Sequence, residues 1–110
     1  MTPSDFEALQ NDVHAVFSAL YLIDVDLLSA EERKQHQQVL AAAYLAFVNA
    51  ENTRYAALST KAKSELGELA EHVKTMRTQL TELEAPSEQL GLLGKGLDAL
   101  ARLAQTLQIP

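Results

Sequence analysis

Cysteine and tryptophan are absent from this chain, and glycine and proline are scarce, with four and three among 110 residues. Without cysteine there is no disulfide, no thiolate metal site and no cysteine nucleophile, and the composition suits a reducing compartment, so a cytoplasmic location is expected. A basic stripe is also missing. Nine Lys and Arg face fifteen Asp and Glu, the net charge is −6, and the cations are scattered among the acids. A nucleic-acid partner needs clustered cations to neutralise phosphates, so neither DNA nor RNA is expected. Long apolar runs are lacking too: His14, Ser18 and Asp24 interrupt the stretch from Val13 to Val25. Asp5, Glu7 and Asp12 stand where an export signal carries positive charge, so neither a membrane span nor a signal peptide is expected.

What is present is a globular balance of 47% apolar and 22% charged residues of mixed sign. That balance, at this length, predicts one soluble domain spanning 1–110. Phe6, Leu9, Val13, Val16, Leu20, Ile23 and Leu27 alternate at spacings of three and four, which gathers them on one stripe of a helix and scatters them over both faces of a strand. Ser4 with Glu7 forms a capping-box pattern at the start of this segment, and Ser29 with Glu32 forms another after a turn expected near Asp24 to Ser29. The second helix begins wet, with no apolar side chain from Glu31 to Gln38. It then presents Val39, Leu40, Tyr44, Leu45, Phe47 and Val48 as an apolar face padded by Ala41, Ala42 and Ala43.

Between Asn49 and Ser64 neither glycine nor proline marks a boundary. Beyond it Ala62, Leu66, Leu69, Val73, Met76, Leu80 and Leu83 resume the alternating spacing, and Gly67 falls off that stripe. Pro86 stops this segment, because the residue before a proline is pushed away from α geometry. A last helix is expected from about Ser87 to before Pro110, with Leu90, Leu93, Leu97, Leu100, Ala104 and Leu107 as its stripe. The fold class is therefore all-α, with coiled-coil-like seams. It is an antiparallel bundle of four helices, or three if one helix runs unbroken from Ala30 to about Glu84. That helix would be about 80 Å long at 1.5 Å per residue. The compact form is preferred, since helices much beyond about 25 residues are uncommon in globular domains.

Motifs that carry chemistry are also missing. Di-iron bundles use Glu-x-x-His, but the residues three before His14, His36 and His72 are Asn11, Arg33 and Leu69. Glu32 with His36 and Glu68 with His72 are four apart, and read as solvated pairs on a helix surface. Asp24 and Asp26 begin like a calcium loop, but Leu28 and Ser29 occupy the next ligand and glycine positions, so helix-end and turn chemistry is expected there. Gly94 and Lys95 resemble part of a phosphate loop, yet Gln89 and Gly96 stand where its other glycine and its serine or threonine belong. No metal, cofactor, small-molecule ligand or catalytic residue is expected, and the chain is read as non-enzymatic.

Apolar residues nevertheless exceed the main seams. Leu92, Gly96, Ala99 and Leu103 flank the stripe of the last helix, and Phe17 and Tyr21, with His14 and Leu28, flank that of the first. These flanks are either further core or a docking face for another protein or a second copy of the chain. The functional expectation is a self-associating protein–protein interaction module of the adaptor, secretion-chaperone or toxin-neutralising kind. Its candidate contact residues are Leu92, Gly96, Ala99, Leu103, Phe17 and Tyr21. The alternative is a ligand-binding or catalytic bundle whose site assembles from several helices, with His14, Tyr21, Asp24 and His72 as the residues to inspect.

Overall fold

Thr2 sets where the first helix begins. In the computed structural model, which describes residues 1–108, the Thr2 hydroxyl accepts from the Asp5 amide (3.1 Å) and the Asp5 carboxylate accepts from the Thr2 amide (2.9 Å). Helix α1 (Pro3–Tyr21) is therefore capped by Thr2 and Asp5, and the box expected at Ser4 and Glu7 does not form. Pro3 explains the shift. Its fixed φ and missing N–H suit the first helical position, which makes the preceding residue the cap and places Ser4 already inside the helix. The bonds from Thr2 hold the Asp5 carboxyl below the usual aspartate value, so this cap weakens as pH falls through that lowered value.

After α1 the chain makes one 3-10 turn, Val25–Leu27, where the Asp24 carboxylate accepts from the Asp26 amide at 3.0 Å. This is the turn chemistry expected of these aspartates. Leu27, expected at the end of the first stripe, lies in this turn and is exposed. Helix α2 (Ala30–Asn52) then starts with the expected box, Ser29 and Glu32 exchanging bonds of 2.8 and 3.2 Å.

Between residues 30 and 84 the chain does break, at residues 53–59. Tyr55 anchors this link: its ring lies 6.0 Å from that of Phe6, its hydroxyl donates to the Met1 carbonyl, and the Lys63 ammonium sits 4.4 Å over its face. Leu58 is buried beside it, and the Ser59 hydroxyl caps α3 (Thr60–Leu80) by accepting from the Ala62 amide at 3.1 Å. The unbroken 80 Å helix is thereby excluded, and the longest dimension of the molecule is 42 Å.

The segment expected to be one last helix is two, α4 (Pro86–Lys95) and α5 (Leu97–Gln108), joined at Gly96. The Gly96 amide is shared between the Leu92 and Leu93 carbonyls at 3.3 and 3.1 Å, and a Cβ at this position would run into the Met76 methyl group. Gly94 similarly admits the Gln35 side chain, whereas Gly67 and Gly91 have open space around them. Pro110, the expected stop, lies outside the described residues.

Helix α2 packs most extensively on α5 and α1, and α3 packs on the same two helices, so α1, α2, α5 and α3 surround one core while α4 closes an end over α2 and α3. The seams of α1 and α3 are buried along their length, and α4 and α5 add Leu90, Leu93, Leu100, Leu103 and Leu107. Each such side chain contributes about 1.5–3 kcal/mol by leaving water.

Helix α2 departs from its expected orientation. Its buried line is His36, Val39, Ala43, Ala46 and Ala50, while Tyr44 and Leu45 are exposed and Leu40, Phe47 and Val48 are half-buried. Small residues let α2 pack on α1 and α5 at once, and the larger buried side chains come from those neighbours: Phe6, Leu9, Val13, Val16 and Leu20 on α1, and Leu100, Leu103 and Leu107 on α5. Close packing decides the facing side here, over hydrophobicity alone.

Candidate interaction surface

The six residues expected at an interface fall in three places. Leu103 is wholly buried, so the flank it was assigned to is core at that position. Its spacing of three from Leu100 and four from Leu107 already puts it on the α5 core side. Leu92, Gly96 and Ala99 line a shallow groove between α3 and the α4–α5 joint, rimmed by Glu71, His72, Thr75, Gln79 and Lys95. Phe17 and Tyr21 lie on the outer side of the α1–α2 pair, away from that groove.

On the α1–α2 side the aromatic residues form a connected cluster. Phe17 and Phe47 stack with centroids 5.4 Å apart and planes 5° from parallel. Tyr44 and Tyr21 flank the Phe17 ring at 5.6 and 6.1 Å, and the His14 ring sits 5.2 Å from Phe47. The chain has only three Phe and three Tyr, so four of its six aromatic residues are spent at this surface. The two phenylalanines are half-buried, but Tyr21 is 68% and Tyr44 54% exposed. The turn that follows α1 adds exposed Leu22, Val25 and Leu27.

Helix phase explains why these groups meet. Along α1, Glu7, Gln10, His14, Phe17 and Tyr21 follow spacings of three and four, one residue beyond the core seam. Along α2, Lys34, Gln37, Ala41, Tyr44, Val48 and Glu51 do the same beside the alanine line. Because the helices are antiparallel, the two offset stripes lie side by side on the outer face, and Phe47, between the α2 stripe and the alanine line, reaches across to Phe17 and His14. Gln10 crosses it, donating from Nε2 to the Ala50 carbonyl at 2.8 Å.

Charge separates the helical part of this face from the rest of the molecule, including the adjoining turn with its exposed Asp24 and Asp26. No Asp or Glu occurs from Val13 to Ile23 or from Arg33 to Ala50, although the chain contains fifteen acids. Among the described residues the two ion pairs lie elsewhere: Arg77 to Asp12 at 2.7 Å joins α3 to α1, and Arg102 to Glu65 at 3.4 Å joins α5 to α3.

The histidines do not assemble a site. His36, expected to be a solvated partner of Glu32, is instead buried, with Nε2 2.8 Å from the Leu20 carbonyl at the end of α1. Its spacing of three from Val39 places it on the buried line of α2. His14 lies on the aromatic face, and His72 rims the α3–α4 groove, whose lining includes none of His14, Tyr21 or Asp24. Among the described residues no three His, Asp or Glu side chains come together as a metal site, and no buried side-chain nitrogen or oxygen lacks a partner. Among the described residues no helix is long and apolar enough to cross a membrane. Compared with known protein families, curated proteins and solved structures, the chain matches none of them.

Proposed function

We propose that this chain is a protein–protein interaction module, of the adaptor, secretion-chaperone or toxin-neutralising kind, and that it binds through the α1–α2 face. The observation that carries this reading is the surface cluster of Phe17, Tyr21, Tyr44 and Phe47 in a chain so poor in aromatic residues. Aromatic side chains are enriched at protein interfaces because they bring large apolar area at low conformational cost. An aromatic residue presents about 150–250 Å², so the exposed parts of Tyr21 and Tyr44 together offer roughly 200–250 Å². The exposed Leu22, Val25 and Leu27 of the adjoining turn enlarge this apolar surface. The stacked phenylalanines pre-order this face, which lowers the entropy lost on binding. A non-catalytic role and a cytoplasmic location belong to the same reading, the second resting on the cysteine-free composition.

Site-specific photo-crosslinking in the native host tests it. Benzoylphenylalanine in place of Tyr44 should give a covalent adduct with a polypeptide, and the adduct should disappear when Tyr21→Glu is added. The same probe in place of Glu68, exposed on α3, should give none. No adduct from position 44, or equal yield from both positions, rejects the reading.

A further inference from the structure

Resting on that reading, we infer that the occupant of the α1–α2 face is a second copy of this chain, docked about a two-fold axis through the Phe17–Tyr44 contact. Three observations carry the inference. The first is where acids are missing. Two chains of net charge −6 repel over most of their surfaces, and the centre of the α1–α2 face, which carries no acid, is where they meet without opposed carboxylates.

The second is polarity along the helices. The α2 stripe starts at Lys34 and ends at Glu51, and the α1 stripe has Glu7 at the end next to Glu51. All three are exposed, and none belongs to the two ion pairs found among the described residues. Along the two stripes the face thus runs from a lysine to a pair of glutamates, with exposed Asp24 and Asp26 in the turn beyond the lysine. A two-fold axis across it turns one copy end for end, setting Lys34 of each against Glu51 and Glu7 of the other. Isologous packing requires this self-complementarity.

The third is the position of the axis. The midpoint of Lys34 and Glu51 falls between Ala42 and Ala43, within a turn of Tyr44. Tyr44 is also where α2 meets Phe17 of α1, with rings 5.6 Å apart. The rotation that pairs the charged ends therefore lays one aromatic cluster on the other. Lys34 and Glu51 are about 25 Å apart at the helical rise, and two helices side by side are about 20 Å wide, a footprint of about 500 Å² before corrugation. That approaches the 600 Å² or so per partner of the smaller specific interfaces, so the dimer is a reversible one.

Sedimentation of the purified full chain over a wide concentration range tests this, with circular dichroism confirming that every variant stays helical. Wild type should move reversibly from monomer to dimer, and Tyr44→Glu should remain monomeric. Lys34→Glu and Glu51→Lys should each raise the dimer Kd about tenfold at low salt, because each turns two symmetry-related attractions into repulsions. An equimolar mixture of these two single variants should dimerise more tightly than either alone, since both 34–51 pairs are then opposite in sign and only one like-charge contact, with Glu7, is left. A wild-type chain that stays monomeric throughout overturns the dimer. A dimer that survives Tyr44→Glu, or single variants that fail to complement one another, overturns the two-fold arrangement. Neither result touches the photo-crosslinking outcome, where an adduct of a mass other than two chains would keep the interaction reading and assign a different partner.

Discussion

The α1–α2 face and the groove between α3 and the α4–α5 joint both carry apolar residues beyond the core seams, yet they are built in opposite ways. The groove combines small and aliphatic groups, Leu92, Gly96 and Ala99, with a rim of Glu71, His72, Thr75, Gln79 and Lys95. Gly96 is explained by what it touches within the chain, since the Met76 methyl occupies the space a Cβ would need. On the α1–α2 face Phe17 and Phe47 stack, and Tyr21 and Tyr44 touch the Phe17 ring while leaving most of their own surface in solvent. Surplus apolar residues in the groove thus serve the fold, whereas those on the α1–α2 face await something outside it.

The largest effect should come from testing the boundary between core and surface. Leu103→Glu buries a carboxylate without a partner and should unfold the chain, a loss of more than about 4 kcal/mol, measured by chemical denaturation. Tyr44→Glu should change stability by no more than about 0.5 kcal/mol, yet weaken association by about 2–3 kcal/mol as a central interface residue does. A Tyr44→Glu chain that unfolds like Leu103→Glu would erase the distinction between the two regions.

Substituting two glycines sharpens the account of the groove. Gly67→Ala, in open space within α3, should stabilise by about 0.5–1 kcal/mol through helix propensity. Gly96→Ala should gain less than Gly67→Ala, because the terminal methyl of Met76 must swing aside to admit the new methyl; thermal melts should rank the two variants in that order. The smallest effect is expected from Thr75→Glu, exposed on the groove rim, which should alter stability by less than about 0.5 kcal/mol and leave the sedimentation profile unchanged.

The helical seams of α1, α3 and α5 were legible because their hydrophobic residues are also their buried residues, so period alone located the core. Helix α2 was not legible in this way. Tyr44, Leu45 and Phe47 outrank Ala43, Ala46 and Ala50 in hydrophobicity, but contact with α1 and α5 selects for size. The line His36, Val39, Ala43, Ala46 and Ala50 has the same alternation of three and four, and following it through the alanines would have identified His36 as buried. The 53–59 break escaped for a related reason. It is made by Tyr55 and Leu58 packing on distant residues and by a serine cap with Ala62, and no Glu or Gln, at the third helical position, so no local pattern announces it. Phe17 and Tyr21 were recognisable as surplus to the α1 seam. Their partners Tyr44 and Phe47 were hidden by being read as core.

Side-chain oxidation by hydroxyl radicals, followed residue by residue from dilute to concentrated protein, tests most directly whether the α1–α2 face is the one that docks. The account predicts that oxidation of Tyr21 and Tyr44 falls as concentration rises, while His72 in the α3–α4 groove is oxidised at a constant rate. Protection of His72 with no change at Tyr44 would contradict it.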